Sequence, residues 1–377
     1  MDHPSLQFES GSLSPLSPAV SATDFDVFAD ANDTLRSRLA EYEPTSDNDN
    51  VVQFLLTVFK FLPLQGQVNL ARDVAVCHDD DMLRQLDNYI DSSLLRPLLA
   101  QGGRTPAITS SSLPGAEESV EDLLSLDLES ATRQQTVLRR KCLERDEYRC
   151  VVTKACLPGH GTSPSDRHAP LEAVHIIPFA LGSFPSDERR ANAEVWSCIY
   201  RYFPNIQCLF HENQGDINRL DNVMMMVSFL HKEFGAFRFV LVETETPNRY
   251  RVKRFSRFSD FFDNLMPEYT VSPANHPLHP PPKKQFLAVH AAVGNILHTT
   301  GRGAQIEEIL DQLGDDDSYG LATDGSTKIA DLLSVTSLSL LSANPSPMSP
   351  SRSDKLSHYA TAKAYHVTEN EPPEYRC

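Results

Sequence analysis

The 377-residue chain contains a single tryptophan, and its seven cysteines, at 77, 142, 150, 156, 198, 208 and 377, include no pair spaced as CxxC. The first scarcity, with 26 prolines and many serines, implies that sizeable stretches never join a packed core. The second excludes a CxxC zinc knuckle and offers no disulfide scaffold of the secreted type. The N-terminus, MDHPSLQFESG, lacks a basic segment followed by an apolar one, so no secretory signal is expected. No apolar run is long enough to span a bilayer; the longest, Val51 to Leu64, contains Lys60. A dense Lys/Arg tract of the nuclear-import kind is also missing. These absences predict an intracellular protein with no membrane partner, in nucleus or cytoplasm.

Positive charge is scarce except in one place. The net charge is −17, distributed as about −14 over residues 1–135, +1 over 136–270 and −4 over 271–377. Only the middle third would not repel a polyanion. It is neutral rather than basic, so electrostatics permits nucleic-acid binding without arguing for it.

Texture divides the chain further. Residues 1–20 are Ser/Pro-rich and predicted to be disordered. Residues 21–100 form a helical region, with apolar stripes at Leu35-Leu39-Tyr42, Val51-Val52-Phe54-Leu55-Phe59-Leu62 and Met82-Leu83-Leu86-Tyr89-Ile90. Asp79-Asp80-Asp81 suits a helix start, where carboxylates favour the positive end of the dipole. An acidic linker with interleaved leucines follows at 101–132, where a short docking helix is possible. Residues 133–272 change character. A charged helix from Gln134 to Arg145 leads to a β-prone run, Arg149 to Thr153. A strand runs from Leu171 towards Phe179, with Pro178 expected to end it. A helix around Ser186 to Tyr202, a strand from Asn222 to Val227 and a short helix capped by Ser228 come next. Phe237–Glu243 and Tyr250–Phe255 read as a hairpin across Thr246-Pro247-Asn248. Residues 273–314 hold a Pro-rich segment and a helix from about Gln285 to Leu313, and 315–377 a disordered tail.

The strings LEAVHIIPF and DNVMMMVSFLH, with nine residues from Asn222 to His231, resemble the HNH pattern of ββα-metal endonucleases. RDEYRCVVT is similar to the entry segment of such domains. The downstream HKEFGAFRFVLVETETPNRYRV and FLAVHAAVGNILH are similar to uncharacterised HNH proteins of filamentous fungi. The resemblance spans Thr136 to Leu313. It implies an α+β fold with an HNH core, and one divalent metal ion, Mg2+ before Mn2+, Ni2+ or Zn2+. It further implies His175 as general base, Asn222 as a structural amide, His231 as a metal ligand, and hydrolysis of phosphodiesters in DNA or RNA. The chemistry suits these residue types: an imidazole accepts a proton near neutrality, and a divalent cation stabilises charge on phosphate oxygens.

The chain departs from the pattern in three places. Val174 stands where the best-understood HNH enzymes carry Asp or His, Val223 replaces a Gly after the Asn, and Thr153 stands three residues after Cys150. Glu172 lies on the same strand face as Val174 and is the substitute ligand. Arg249, Arg251, Lys253 and Arg254, with Arg257, are the candidate phosphate contacts, the first three sharing one face of a strand; a solvated face, or pairing with Asp260 and Asp263, is the plainer alternative. Met224-Met225-Met226 reads as core, since thioethers suit soft metals, and the scattered cysteines as small buried hydrophobes. The competing functional reading is a catalytically degenerate HNH-fold module, acting as a nucleic-acid binder or as a scaffold whose protein partner docks on the N-terminal helices.

Overall fold

The computed structural model describes residues 22–102, 130–182, 189–211, 217–271, 276 and 278–314. The expected disorder at 1–20 and 315–377 and most of the acidic linker lie outside these residues. Five helices open the described chain: α1 (Ala22–Ala40), α2 (Val51–Phe61), α3 (Leu64–Val76), α4 (Asp80–Ile90) and α5 (Arg96–Gln101). Asp79 caps α4, its carboxylate accepting from Met82 N at 2.8 Å, as the acidic triplet suggested. Between α4 and α5 the backbone widens into a π turn, Asp91–Leu95. Pro97 at the start of α5 accounts for it, because a proline has no N–H to offer four residues back and its ring crowds that carbonyl.

The second half alternates short helices and strands: α6 (Ser130–Arg145), β1 (Leu171–His175), α7 (Arg189–Tyr202), α8 (Pro204–His211), β2 (Val223–Val227), α9 (Ser228–Gly235), β3 (Phe239–Glu243), β4 (Arg249–Arg254), β5 (Tyr269–Val271), α10 (Lys284–Thr300) and α11 (Arg302–Gly314). β1 and β2 form an antiparallel pair, and β3-β4-β5 a separate antiparallel sheet whose third strand was not foreseen. The mixed α+β class is as expected.

Several boundaries differ from the sequence reading, and four of the differences have a clear local reason. Arg149 to Thr153 is a turn rather than a strand: Glu147, Tyr148 and Lys154 all take positive φ, and Cys150 N closes back on Ala155 O at 2.8 Å. β1 stops at His175, three residues before Pro178, because the backbone of Ile177 is diverted onto the Asn222 side chain. Ser228 is the first helical residue of α9 and makes no capping bond; Val227 occupies the cap. The single helix expected over 285–313 is two, broken where Gly301 adopts φ 74° in the left-handed region that ends helices.

One cluster of buried apolar side chains runs through both halves. α3 packs on α1 and α7, and α10 bridges α2 and β3. The approach is close enough to demand glycine: a Cβ on Gly66 would lie 2.1 Å from the Tyr202 carbonyl oxygen, and one on Gly102 would lie 1.8 Å from that of Gly235. Thus the end of α5 abuts the end of α9.

The deepest polar feature is Arg145 with Asp146, at 2.7 Å and with side chains essentially inaccessible. Arg145 also donates to Leu220 O and Val223 O, both at 2.7 Å, and Asp146 accepts from Met225 N at 2.8 Å. A free edge of β2 would present unpaired backbone groups. Here Asp146 takes the Met225 N–H and Val151 N donates to its carbonyl at 2.9 Å. Removing one partner of a buried pair strands the other, at about 3–5 kcal/mol. Asp146→Ala should therefore lower the denaturant midpoint by that order, whereas Arg254→Ala, which breaks an exposed pair with Asp263, should cost under about 1 kcal/mol.

Candidate active site

The β1-β2 register sets His175 opposite Val223 and Glu172 opposite Met226, and α9 leaves β2 without a connecting loop. His231, on α9, is thereby carried back over β1. Its Nδ1 lies 2.6 Å from Glu172 Oε2. The imidazole is buried, while the carboxylate side chain keeps about 37% of its surface. Burial disfavours charge on Glu172, but hydrogen bonds from Ser228 and His231 and the charge of Lys232 outweigh it and hold the carboxyl below its ordinary range. The Ser228 hydroxyl thus serves Glu172, not the helix end.

Asn222 is fully buried and positions the opposite wall. Its Oδ1 accepts from Ile177 N at 2.9 Å, and its Nδ2 donates to Ile177 O and Ile217 O, each at 3.1 Å. One amide therefore ties the segment after β1 to the segment before β2. With Ile176 N donating to Asn222 O at 2.8 Å, the end of β1 is fixed.

His175 sits at that end, buried and tilted against Phe179 at a ring separation of 5.4 Å. Its Nε2 is 3.1 Å from Asn218 Oδ1. A carbonyl oxygen only accepts, so Nε2 carries the proton and Nδ1 holds the lone pair. That Nδ1 is buried with no hydrogen-bond partner. Burial, offset in part by the Asn218 bond and reinforced by repulsion from a charged His231, pushes the His175 pKa down to about 4. His175 is consequently neutral at pH 7, with a bare nitrogen.

Residues 150–242 match the family model of the HNH endonuclease. This part of the chain is an HNH domain. No curated protein and no solved structure matches the chain. The matched segment contains β1, β2, α9 and all three residues of the sequence motif.

Val174 occupies the position preceding the first motif histidine and is buried and apolar, so it offers no donor. Glu172, one strand repeat earlier, reaches His231 instead. Among the described residues no three His, Cys, Asp or Glu side chains converge on one point. His231 and Glu172 are one imidazole and one carboxylate, donor types that divalent cations take. Cys142, Cys150, Cys156 and Cys198 are buried free thiols.

The basic hairpin is partly consumed. Arg254 pairs with Asp263 and Arg257 with Glu307, while Lys253 donates to Asn295. Burial, then Arg251 and Lys60, lower the Lys253 pKa. Arg249 and Arg251 remain exposed on the outer face, Arg249 lying 4.2 Å over the Tyr269 ring. Sequence reasoning missed Asn218, Ser228 and Tyr269. Only Asn218 left a trace, in an Asn-containing turn before the motif Asn.

A histidine whose pKa is lowered by folding is protonated earlier in the unfolded chain. Stability associated with His175 is complete above its unfolded value near 6.5 and falls as pH drops towards 4, by roughly 3 kcal/mol in full. His290, stacked on Phe234 at 3.7 Å and lowered to about 3 by burial, works in the same direction. Denaturant midpoints measured from pH 7 to pH 4 should decline steeply, and His175→Asn should flatten the curve. Asn222→Ala, which leaves three buried backbone groups unpaired, should destabilise the fold by about 1–3 kcal/mol or more at pH 7.

Proposed function

We propose that the HNH domain is a phosphodiesterase that cuts nucleic acid, DNA before RNA, with the help of one divalent cation. The observation that supports it best is the pairing of a buried, neutral imidazole bearing a free Nδ1 with a neighbouring imidazole–carboxylate couple, on the strand–strand–helix unit of an HNH domain.

In this reading His175 Nδ1 receives the proton of the attacking water, and Asn218, accepting from Nε2–H, keeps the ring in the tautomer that can do so. Depressed basicity is a cost of the buried position. An anionic phosphate placed beside the ring favours the imidazolium and restores part of that basicity. Asn222 acts by position, holding the end of β1. His231 and Glu172 would hold the cation, Mg2+ or else Mn2+, Ni2+ or Zn2+; when bound, it would supply charge stabilisation at the phosphate and the leaving oxygen. Arg249 and Arg251 supply phosphate contacts, with Lys253 and Arg254 contributing once released from Asn295 and Asp263.

Val174 favours a second reading, a degenerate HNH module that binds nucleic acid or a protein partner without cutting, because the usual third donor is a buried hydrocarbon. No helix among the described residues is long and apolar enough to cross a membrane.

Relaxation of supercoiled plasmid in the presence of each metal separates the two readings. Wild type should nick it, and His175→Ala should slow nicking by about 10²–10⁴-fold, the usual range for loss of a general base. His231→Ala and Glu172→Gln should raise the metal concentration needed for half-maximal rate. Equal rates for wild type and His175→Ala would remove the base assignment. Titration calorimetry showing no cation binding that depends on His231 would favour the degenerate module.

A further inference from the structure

Beside the outer edge of β2 lies a cleft of about 370 Å3 between the turn at 152–154 and the segment leading into β5. Thr153 and Lys154 line one wall; Asn264, Met266 and Tyr269 line the other. Both walls are tied to the HNH domain. Val151, next to the turn, donates to Met225 O and accepts from the Thr270 hydroxyl, so the cleft is fastened to the middle of β2. Met225 is two residues from Val223, which pairs with His175, a separation of roughly 7 Å along a strand. The cleft is thus within a few nucleotides of the proposed reacting phosphate.

Its chemistry is specific in kind. Tyr269 presents an aromatic ring and carries the Arg249 guanidinium at 4.2 Å. Arg251 faces Tyr269 directly across the β4-β5 ladder. Asn264 offers an amide able to donate and accept, and Lys154 an ammonium that donates to Val151 O at 2.9 Å and whose pKa burial lowers. Lys154 also holds φ 60°, a conformation in which asparagine or glycine would be less strained, so the turn keeps a lysine at some cost. A flat ring, an amide and flanking cations are what one nucleotide requires: a surface for the base, hydrogen bonds to its edge and charge for its phosphate. The volume is at the lower end of small-molecule sites. A base within a duplex is stacked on its neighbours and would not enter.

We propose that this cleft binds one unpaired nucleotide of the substrate strand, its base against Tyr269 and Asn264 and its phosphate near Lys154 and Arg249. The proposal rests on the nuclease reading and narrows its substrate to strands with an exposed base, either single strands or junctions and flaps.

The test is fluorescence anisotropy with the full chain and labelled oligonucleotides of about 20 nucleotides, well beyond one such site, as single-stranded DNA, single-stranded RNA and duplex DNA of one sequence. EDTA keeps the substrates intact. Wild type should prefer a single strand to the duplex, the DNA and RNA arms naming the sugar. Tyr269→Ala should weaken single-strand binding about tenfold, the usual scale for losing one base–aromatic stack, and leave duplex binding unchanged. Tyr269→Phe should bind as wild type does. Lys154→Gln should reduce the slope of log Kd against log salt on the single strand by about 0.7, one phosphate contact. No single-strand binding by wild type, or equal losses on single strand and duplex, would overturn the proposal. Because binding is read without metal, the outcomes separate: cleavage that depends on His175 together with unaltered binding by Tyr269→Ala sinks the cleft alone. Cleavage, of plasmid or of single strand, that is indifferent to His175 sinks the catalytic reading instead.

Discussion

The buried Arg145–Asp146 pair is the constraint on which the HNH domain is built. Two charges out of water are costly unless every remaining hydrogen-bonding position is used, and here they are used on backbone. Arg145 fixes Leu220 and Val223, which bracket Asn222, and Asp146 fixes Met225. The ion pair therefore does for β2 what a third strand would do in a larger sheet. It also sets the place from which the Asn222 amide reaches the end of β1. Helix α6, the turn after it, the β-pair and the asparagine are mechanically one object. The active-site geometry follows from where a guanidinium is locked.

The same construction divides the two motif histidines by environment. His175 is enclosed among apolar neighbours with one neutral hydrogen bond, so burial decides its state and it stays uncharged. His231 has a carboxylate at hydrogen-bond distance, and that carboxylate stays ionised because Ser228, His231 and Lys232 together outweigh its desolvation. Two rings of one residue type, close to each other, thus meet opposite demands. The first is a buried ring with an unpartnered Nδ1, the second a ring bonded to a carboxylate. Each assignment strengthens the other, since a positive charge near His231 further disfavours protonation of His175.

Much of this was legible in the sequence, and the illegible part has a common cause. Strands β1 and β2, the short helix after β2, the β3-β4 hairpin with Asn248 at φ 59° in its turn, and the Asp79 cap were readable because each depends on local periodicity or on a residue with a strong local preference. What failed were features fixed by partners far along the chain. β1 ends early because of Asn222, 45 residues away from Ile177. Ser228 turns from the helix end to a carboxylate on another strand. Arg145 and Asp146 look like an ordinary charged helix end, and nothing in their own neighbourhood announces that both are buried. β5 is three residues long and carries no periodic signal.

In the proposed function the acidic donor is Glu172 rather than the residue beside His175, and this bears on substrate binding. A site with three protein donors could hold a cation in the absence of substrate. With two, a cation and the phosphate would complete each other's coordination, and each would bind better when the other is present. Such coupling suits a segment whose net charge is near zero in a chain of −17, because long-range attraction cannot concentrate a polyanion at this surface. Affinity must then come from short-range contacts, and the surface offers few free cations once Arg254, Arg257 and Lys253 are engaged internally. Stacking needs no net charge and survives physiological salt. A cleft walled by an aromatic ring and an amide, fastened to the same strand that carries the motif, supplies the kind of binding that the electrostatics of this chain withhold.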